Sequence, residues 1–459
     1  MSALYTVSIK AHKASKNRIF LGPEFSSHYK RGEIITVHYG LEQVQAIVTP
    51  IKNSEHVIFS KDVWDRLSLP FPHKLHVKTD HEKISLGPLV GIMTTNFTPS
   101  SKAPLGPRTD FFKEYIVCQK YVPSSYFLFS PLDVSTVSNR VSGYFLIQNK
   151  GKKIWKKYSV PFPNVVYNRV FRRGEKMSVV KHGRAILENA GAKVFNPFTF
   201  NKWNIHELIS TNPAVQEYLP ESILDPSLQD LKRLLRKHKM IYLKPAEGYM
   251  GLGIIQINKN PEKGISCRFN RHGKNHLKPY PSMKLFIKQF FKGRSLKKYI
   301  AQQGISLLQN AGRNIDFRVH VNKDEHGQWN MTGIAGKISG KGSVTTHIRT
   351  GGHVLSFDSI MEKFFSKETQ NKIYQELKQA VLTLAQVIED SLPGYVGEIG
   401  FDIGLDATGH PWMFEANSQP GRHVFALPEL KEWDVITRRN ILDYSLFLSG
   451  FTKKEVHAS

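Results

Sequence analysis

Alternating and β-rich runs open the chain. In "LYTVSIKA" (4–11), "GEIITVHYG" (32–40) and "EQVQAIVTP" (42–50) the pattern predicts strands, with Gly40 at a hairpin turn. "KDVWDRLSLP" (61–70) reads as one short helix stopped by Pro70. Residues 1–87 thus fit a small β-rich domain, in the form of a barrel. From "LGPLVGIMTTN" (86–96) the pattern changes. A buried strand is followed by "DFFKEYIVCQKY", a helix, and by "SSYFLFSP", a strand. "VSGYFLIQNKGKKIWKKYSV" predicts a hairpin turning at Lys150–Gly151, and "EKMSVVKHGRAILENAGAKVFNP" a helix ending near Gly191 and then a strand. This alternation argues for an α/β unit over 88–212.

Beyond it, Leu228, Leu231, Leu234 and Leu235 share one helical face. The segments "MIYLKP", "GIIQIN", "LFIKQFF", "DFRVHVN" and "WNMTGIAGKI" read as strands. Ile373, Leu377, Val381, Leu384 and Ile388 mark a long helix ended by Pro393–Gly394. "GFDIGLDATGHPWMFEANSQPG" (400–421) closes the series as a hairpin. The expected class is α/β (α+β), with units 1–87, 88–212 and 213–448 and a basic tail, 449–459.

Composition changes the picture in one respect. The 459 residues carry a formal net charge of +26, so partners with negative charge are favoured. Basic residues concentrate in "NKGKKIWKKYSV" (149–160) and between Lys259 and Lys298, where Glu262 is the lone acid. No zinc-finger or aromatic-rich RNA-binding signature accompanies them, which argues against sequence-specific nucleic-acid recognition. An anionic polymer or an acidic protein layer stays open, beside a merely solvated basic face. Cys118 and Cys267, the only cysteines, make neither a disulfide framework nor a zinc site. The chain has no apolar run of transmembrane length, and its start lacks the apolar stretch of a signal peptide, so a cytoplasmic site of action is expected.

The chemistry begins at the 400–421 hairpin. Pairing about the midpoint between Thr408 and Gly409 sets Asp402 opposite Glu415, with Asn417 on the same face. Like charges across a strand pair destabilise it. A hard divalent cation such as Mg²⁺ would resolve the conflict through these three oxygen donors, and hydration is the plainer alternative. Upstream, "YLKPAEGYMGLGIIQI" (242–257) places Lys244 at a strand end before Gly248, Gly251 and Gly253. Glycines of this kind let backbone N–H groups approach phosphate. The order excludes a Walker A loop, a dinucleotide fingerprint and a protein kinase. In "NIDFRVHVN", Arg318 sits mid-strand and needs an anionic partner, a carboxylate being the simplest. Lys337 in "AGKISGKG" and "HIRTGGH" (347–353) add cationic and flexible elements. His320, His347 and His353 could take part in proton transfer, although a structural role is the commoner one.

The succession of lysine strand, glycine loop, arginine strand, helix and Asp-x12-Glu-x-Asn resembles the ATP-grasp superfamily over about residues 213–448. The whole chain, including "GPLVGIMT", is similar to the YheC/YheD endospore coat-associated proteins, on the YheD-like side. The resemblance implies an ATP-grasp fold preceded by an α/β pre-ATP-grasp domain and the N-terminal β-rich domain. It implies ATP between two β-rich subdomains with the glycine loop as a lid. Lys244 would contact the α- or β-phosphate. Lys288, Gln289, Phe290 and Phe291 would supply hinge contacts to adenine and ribose. Arg318, with Lys337, would act on the terminal phosphate, and Asp402, Glu415 and Asn417 would ligate Mg²⁺. Two positions depart from the pattern: many relatives carry glutamate in place of Gln289 and asparagine in place of His347. The implied activity is a carboxylate–amine-type ligase working through an acylphosphate on an unknown carboxylate. The alternatives are a spore-coat structural protein that keeps the nucleotide module and a polyanion-binding protein. The implied setting is the mother-cell cytoplasm or the spore coat, with coat proteins or an anionic polymer as partners.

Overall fold

A computed structural model describes residues 3–13, 16–52, 54, 56–248, 251–292, 295–346 and 351–452. The first strands close on themselves. The strand Ala3–His12 pairs with His56–Ser60 on one side and with Lys74–Asp80 on the other, completing a seven-stranded barrel. Its inward residues, among them Ile9, Ile19, Ile35, Val37 and Phe59, are fully buried. Closure removes the free edges that an open sheet of this size would expose. The helix expected over 61–70 is shorter than the pattern suggests. It spans Lys61–Arg66 and ends where Ser68 takes a φ of 51°, before Pro70 is reached.

Four parallel strands follow, in the spatial order Ser125–Phe129, Leu89–Met93, Val165–Asn168, Lys193–Phe195. Strand Leu89–Met93 is buried throughout, as parallel strands covered on both faces are. The antiparallel hairpin Arg140–Asn149/Lys152–Pro161 extends this sheet and turns at Lys150 and Gly151, both with positive φ. One face packs on the barrel in a shared core containing Phe127, Phe129 and Phe145. The other packs on helices Thr109–Ile116 and Lys431–Ser449 through Tyr115, Tyr167, Ile441 and Tyr444.

Two antiparallel sheets make up the rest. The smaller has the order Ser222–Leu224, Tyr299–Gln303, Met240–Pro245, Ile255–Asn260, Gly264–Arg271, Lys274–Tyr280. Helix Leu228–His238 covers one side of it, started by a Ser227/Asp230 capping box. The larger, also six-stranded but with longer strands, has the order His353–Leu355, Trp329–Ile338, Arg313–Lys323, Glu398–Leu405, Pro411–Asn417, and the short strand Gln309–Asn310 pairs with Arg313–Lys323. It packs on the 24-residue helix Lys367–Asp390, whose buried stripe includes Ile373, Leu377, Val381, Leu384 and Ile388. The C-terminal helix runs through Ser449, and residues 453–459 of the expected tail lie outside the described residues. No helix among the described residues is long and apolar enough to cross a membrane.

One predicted strand is not a strand. In "LFIKQFF" the chain forms helix Met283–Phe286 and then a π-helical turn, Ile287–Phe291. Phe286, Phe290 and Phe291 cluster with Phe269 and Tyr299, so the apolar run is buried by wrapping instead of pleating. An apolar run this short satisfies either geometry, and packing decides.

Candidate active site between two sheets

A cavity of about 330 Å³ lies between the two antiparallel sheets. Tyr242 and Lys244 line it from the smaller sheet. Asp316, Arg318, Lys337, Asp402, Glu415 and Asn417 line it from the larger one. Strand alternation accounts for this grouping. Arg318 stands opposite Asp402, Asp316 opposite Lys337, and Asp402 opposite Glu415, while Phe317 and Val319 point into the core.

The 400–421 hairpin is not symmetric along its length. From Ile403 the partner is Met413, so Phe414 is an extra residue, a β-bulge beside Asp402. The bulge turns both Phe414 and Glu415 to the cavity. The Lys244 ammonium lies 5.3 Å from the centre of the Phe414 ring.

The expected clash of carboxylates is answered within the protein. Arg318 donates from Nε and Nη2 to the two Asp402 oxygens, at 3.0 and 3.1 Å. Lys337 Nζ lies 2.8 Å from both Asp402 Oδ1 and Asp316 Oδ1. Lys202 Nζ is 3.1 Å from Glu415 Oε2. Neither a metal ion nor hydration is needed to relieve this hairpin, because three cations from three other segments already do so. Burial alone would raise the Asp402 carboxyl, but Arg318 and Lys337 outweigh it and hold the group well below the usual carboxylate range. Asp316 moves the other way: its burial dominates over Lys337. Lys244 is pushed down to about 8 by burial and by the nearby Lys202 cation, and its ammonium donates to Gln302 Oε1.

Several expected residues sit elsewhere. Lys288, Gln289, Phe290 and Phe291 are not part of the cavity lining. The strand hydrogen-bonded beside Lys244 is Tyr299–Gln303, with Lys244 opposite Ile300, and it is Gln302, Gln303, Ile305 and Leu307 that line the cavity. Residues 288–291, expected as the hinge, are thus not brought to this cavity, and Tyr299–Gln303 borders it instead. Gly251 and Gly253 have φ values of 69° and 75°, and Gly251 lines the cavity. A Cβ on Gly251 would come within 3.0 Å of the Thr345 side chain. Gly248 closes a turn on the Pro245 carbonyl. His347 lies outside the described residues, and His320 is buried against Phe425 in the larger sheet, where burial pushes its pKa well down.

Lys202, Tyr242, Gln302, Asp316, Thr346 and His423 also line the cavity without having been singled out in the sequence. Asp316 was within reach of the pattern, since it precedes Arg318 by two positions. Lys202 had no local signal. It begins helix Lys202–Ile209, capped by Asn201, far from the hairpin in sequence.

A family model of YheC/D-like ATP-grasp proteins matches residues 191–448. The chain belongs to this family. Its architecture is therefore the ATP-grasp fold, with mixed helix and sheet content. This ATP-grasp chain is 33% identical over 441 residues to the endospore coat-associated protein YheD of Bacillus subtilis (strain 168), covering 95% of each. It is 26% identical over 321 residues to the endospore coat-associated protein YheC of the same organism, covering 66% of this chain and 83% of that one. Among solved structures, the C-terminal domain of K. lactis Pby1, an ATP-grasp enzyme interacting with the mRNA decapping enzyme Dcp2, is 12% identical with a TM-score of 0.44, covering 81% of this chain and 97% of that one.

Among the described residues no group of three or more His, Cys, Asp or Glu side chains is arranged to hold a metal ion. The donor set Asp402, Glu415 and Asn417 is nonetheless all hard oxygen, which suits Mg²⁺ shared with phosphate oxygens. Asn417 commits its amide nitrogen to Gly400 O at 3.4 Å, which leaves the amide oxygen for a cation.

Proposed function

We propose that this chain binds ATP with Mg²⁺ in the cleft between its two antiparallel sheets and activates a carboxylate for attack by an amine, in association with the endospore coat. The observation that carries the reading is the convergence of Lys244, Arg318 and Lys337 with Asp402, Glu415 and Asn417 on one cavity, from two separate sheets. Cations so placed favour a polyphosphate and the charge that gathers on a phosphoryl group in transfer. Lys244 would hold the α- or β-phosphate. Arg318 and Lys337, already oriented by Asp402, would meet the terminal phosphate. Asp402, Glu415 and Asn417 would hold Mg²⁺, which when bound screens the phosphate charge.

In this reading the γ-phosphoryl group passes from ATP to the acceptor carboxylate, giving an acylphosphate and ADP. The amine then adds to the acyl carbon, phosphate leaves with the carbon–oxygen bond, and an amide forms with loss of a proton. No protein nucleophile is required. The test is thermal unfolding with and without Mg-ATP. A hundredfold excess over Kd should add about 2.7 kcal/mol to the wild type and far less to Glu415→Ala. Release of ADP on addition of spore-extract fractions would then identify the acceptor.

A second reading has its own support. Asp402 already has both oxygens engaged by Arg318 and Lys337, so this acid is neutralised by protein groups alone. A coat protein that retained the nucleotide module without turnover would have such a cleft. Nucleotide-dependent stabilisation with no phosphate release from any carboxylate pool would favour it.

A further inference from the structure

We infer that strand Lys274–Tyr280 is a docking edge for an acidic peptide in extended conformation. The strand is the outermost of the smaller sheet, and among the described residues none pairs with its outer side. Residues 274–279 are exposed without interruption, and only Tyr280 is buried. Such an edge presents the C=O groups of alternate residues to an incoming strand and, except at Pro279, which has no N–H, their N–H groups as well.

Charge selects the occupant. The segment from Lys259 to Lys298 holds twelve Lys and Arg residues and one acid, Glu262. The register sets His276 opposite Phe269 and Lys278 opposite Cys267, so Lys274, His276 and Lys278 share one face of the edge. Leu277 stands opposite Arg268 and shares the other face with Asn275. A strand with acidic residues at alternate positions would meet Lys274 and Lys278 on one side and lay an apolar residue on Leu277.

Lysines on an edge also serve to repel other strands. Two features argue for recognition over repulsion. Leu277 is 60% exposed, an apolar side chain that repulsion does not call for, and Pro279 interrupts the ladder only at the far end of the strand. The edge is also fastened to the rim of the cleft: Asn275 donates to Lys341 O at 3.1 Å and Arg268 to Gly342 O at 3.3 Å. The chain continues from there to Val344, Thr345 and Thr346, which line the cavity. A nucleic acid would match the charge but not the main-chain ladder, and strands Gly264–Arg271 and Lys274–Tyr280 expose no Phe, Tyr or Trp for base stacking. None of the docking residues belongs to the nucleotide cleft, so the inference does not depend on the ligase reading.

The experiment uses a fluorescent octapeptide of alternating Glu and Val, titrated by anisotropy without nucleotide. Binding should weaken by about tenfold or more in Lys274→Glu/Lys278→Glu. It should weaken comparably when alternate peptide nitrogens are methylated, which removes the ladder donors. Charge reversal on the other basic hairpin, Lys152→Glu/Lys153→Glu, should leave binding within about twofold. Equal binding of the methylated peptide, or an equal loss in the Lys152/Lys153 variant, would overturn the inference in favour of a non-specific basic surface. So would an RNA oligomer of the same charge binding as tightly as the peptide.

Discussion

Lys244 carries two consequences of one environment. Burial and the Lys202 cation lower its pKa to about 8, so the ammonium is mostly charged at neutral pH and is lost a little above it. Attraction for a polyphosphate should be present below that value and fade as pH rises through it. Calorimetric titration of Mg-ATP should therefore give weaker binding at pH 9 than at pH 7 in the wild type, and a weaker, nearly pH-independent affinity in Lys244→Met. His73 shows the opposite sensitivity. Its Nδ1 lies 2.6 Å from Phe71 O and so carries the proton, leaving Nε2 to accept from Ser125 Oγ at 2.7 Å. Ser125 in turn accepts from the Tyr39 hydroxyl at 2.8 Å. A second proton on Nε2 would reverse its bond to Ser125 and leave the Ser125 hydroxyl without this acceptor, and burial pushes the pKa down to about 4. Between the unfolded value of 6.5 and about 4, the unfolded chain binds a proton that the folded chain refuses. Stability should fall by roughly 2–3 kcal/mol as pH drops through that window, measured by urea unfolding. The fall should be smaller in His73→Gln. Neither residue's environment could be read locally: Lys244 was visible as the last cation before a glycine turn, whereas its neighbours Lys202 and Phe414 come from distant segments.

At the level of the element, regular elements were legible and irregular ones were not. The hairpin Arg140–Asn149/Lys152–Pro161 and the helix Lys367–Asp390 follow from period and turn chemistry. The bulge at Phe414 does not, because a run of apolar and polar residues has no mark for an unpaired position. The expected Asp402–Glu415 pairing nevertheless matches, because two offsets cancel: the loop-side pairs centre on Thr408 instead of the Thr408–Gly409 midpoint, and the extra Phe414 shifts the register by one residue before Asp402 is reached. "LFIKQFF" departs from the expected strand because strand and helix both bury a short apolar run, and an aromatic cluster selects the π-helical turn. This correction has a direct test. Gln289→Glu should leave Mg-ATP affinity within about twofold, whereas Gln302→Ala, which frees the Lys244 ammonium, should weaken it several-fold. Equal effects would restore the 288–291 segment to the cleft.

For the whole molecule, the barrel and the parallel sheet behave as one packing unit. Barrel residues Ile35, Val37 and Leu86 lie in one core with Phe127, Phe129 and Phe145. Hydrogen bonds from Asn164 to Gly40 O at 3.0 Å and from Arg140 to Glu42 at 2.8 Å cross the same boundary. Removing residues 1–87 would expose the covered face of the parallel sheet. The shortened chain should be insoluble or bind apolar dyes, and calorimetry of the full chain should melt the barrel and the parallel sheet together. An independent melting transition for the barrel would refute this coupling.

Hydrophobic periodicity and turn residues determined by themselves three strands of the barrel, the long helix and the closing hairpin, because alternation, helical period and turn chemistry are local, whereas closure of the barrel pairs Ala3–His12 with strands roughly fifty to seventy positions away. Alternation put Asp402, Glu415 and Asn417 on strands that pair, and the bulge at Phe414 fixed the register that sets Asp402 opposite Glu415. Only the tertiary structure decided that Arg318, Lys337 and Lys202 would neutralise those acids, and that Tyr299–Gln303 instead of "IKQFF" would wall the cleft. Those contacts join residues tens to hundreds of positions apart, and the free energy that selects them is burial and charge pairing across sheets, which no local pattern encodes.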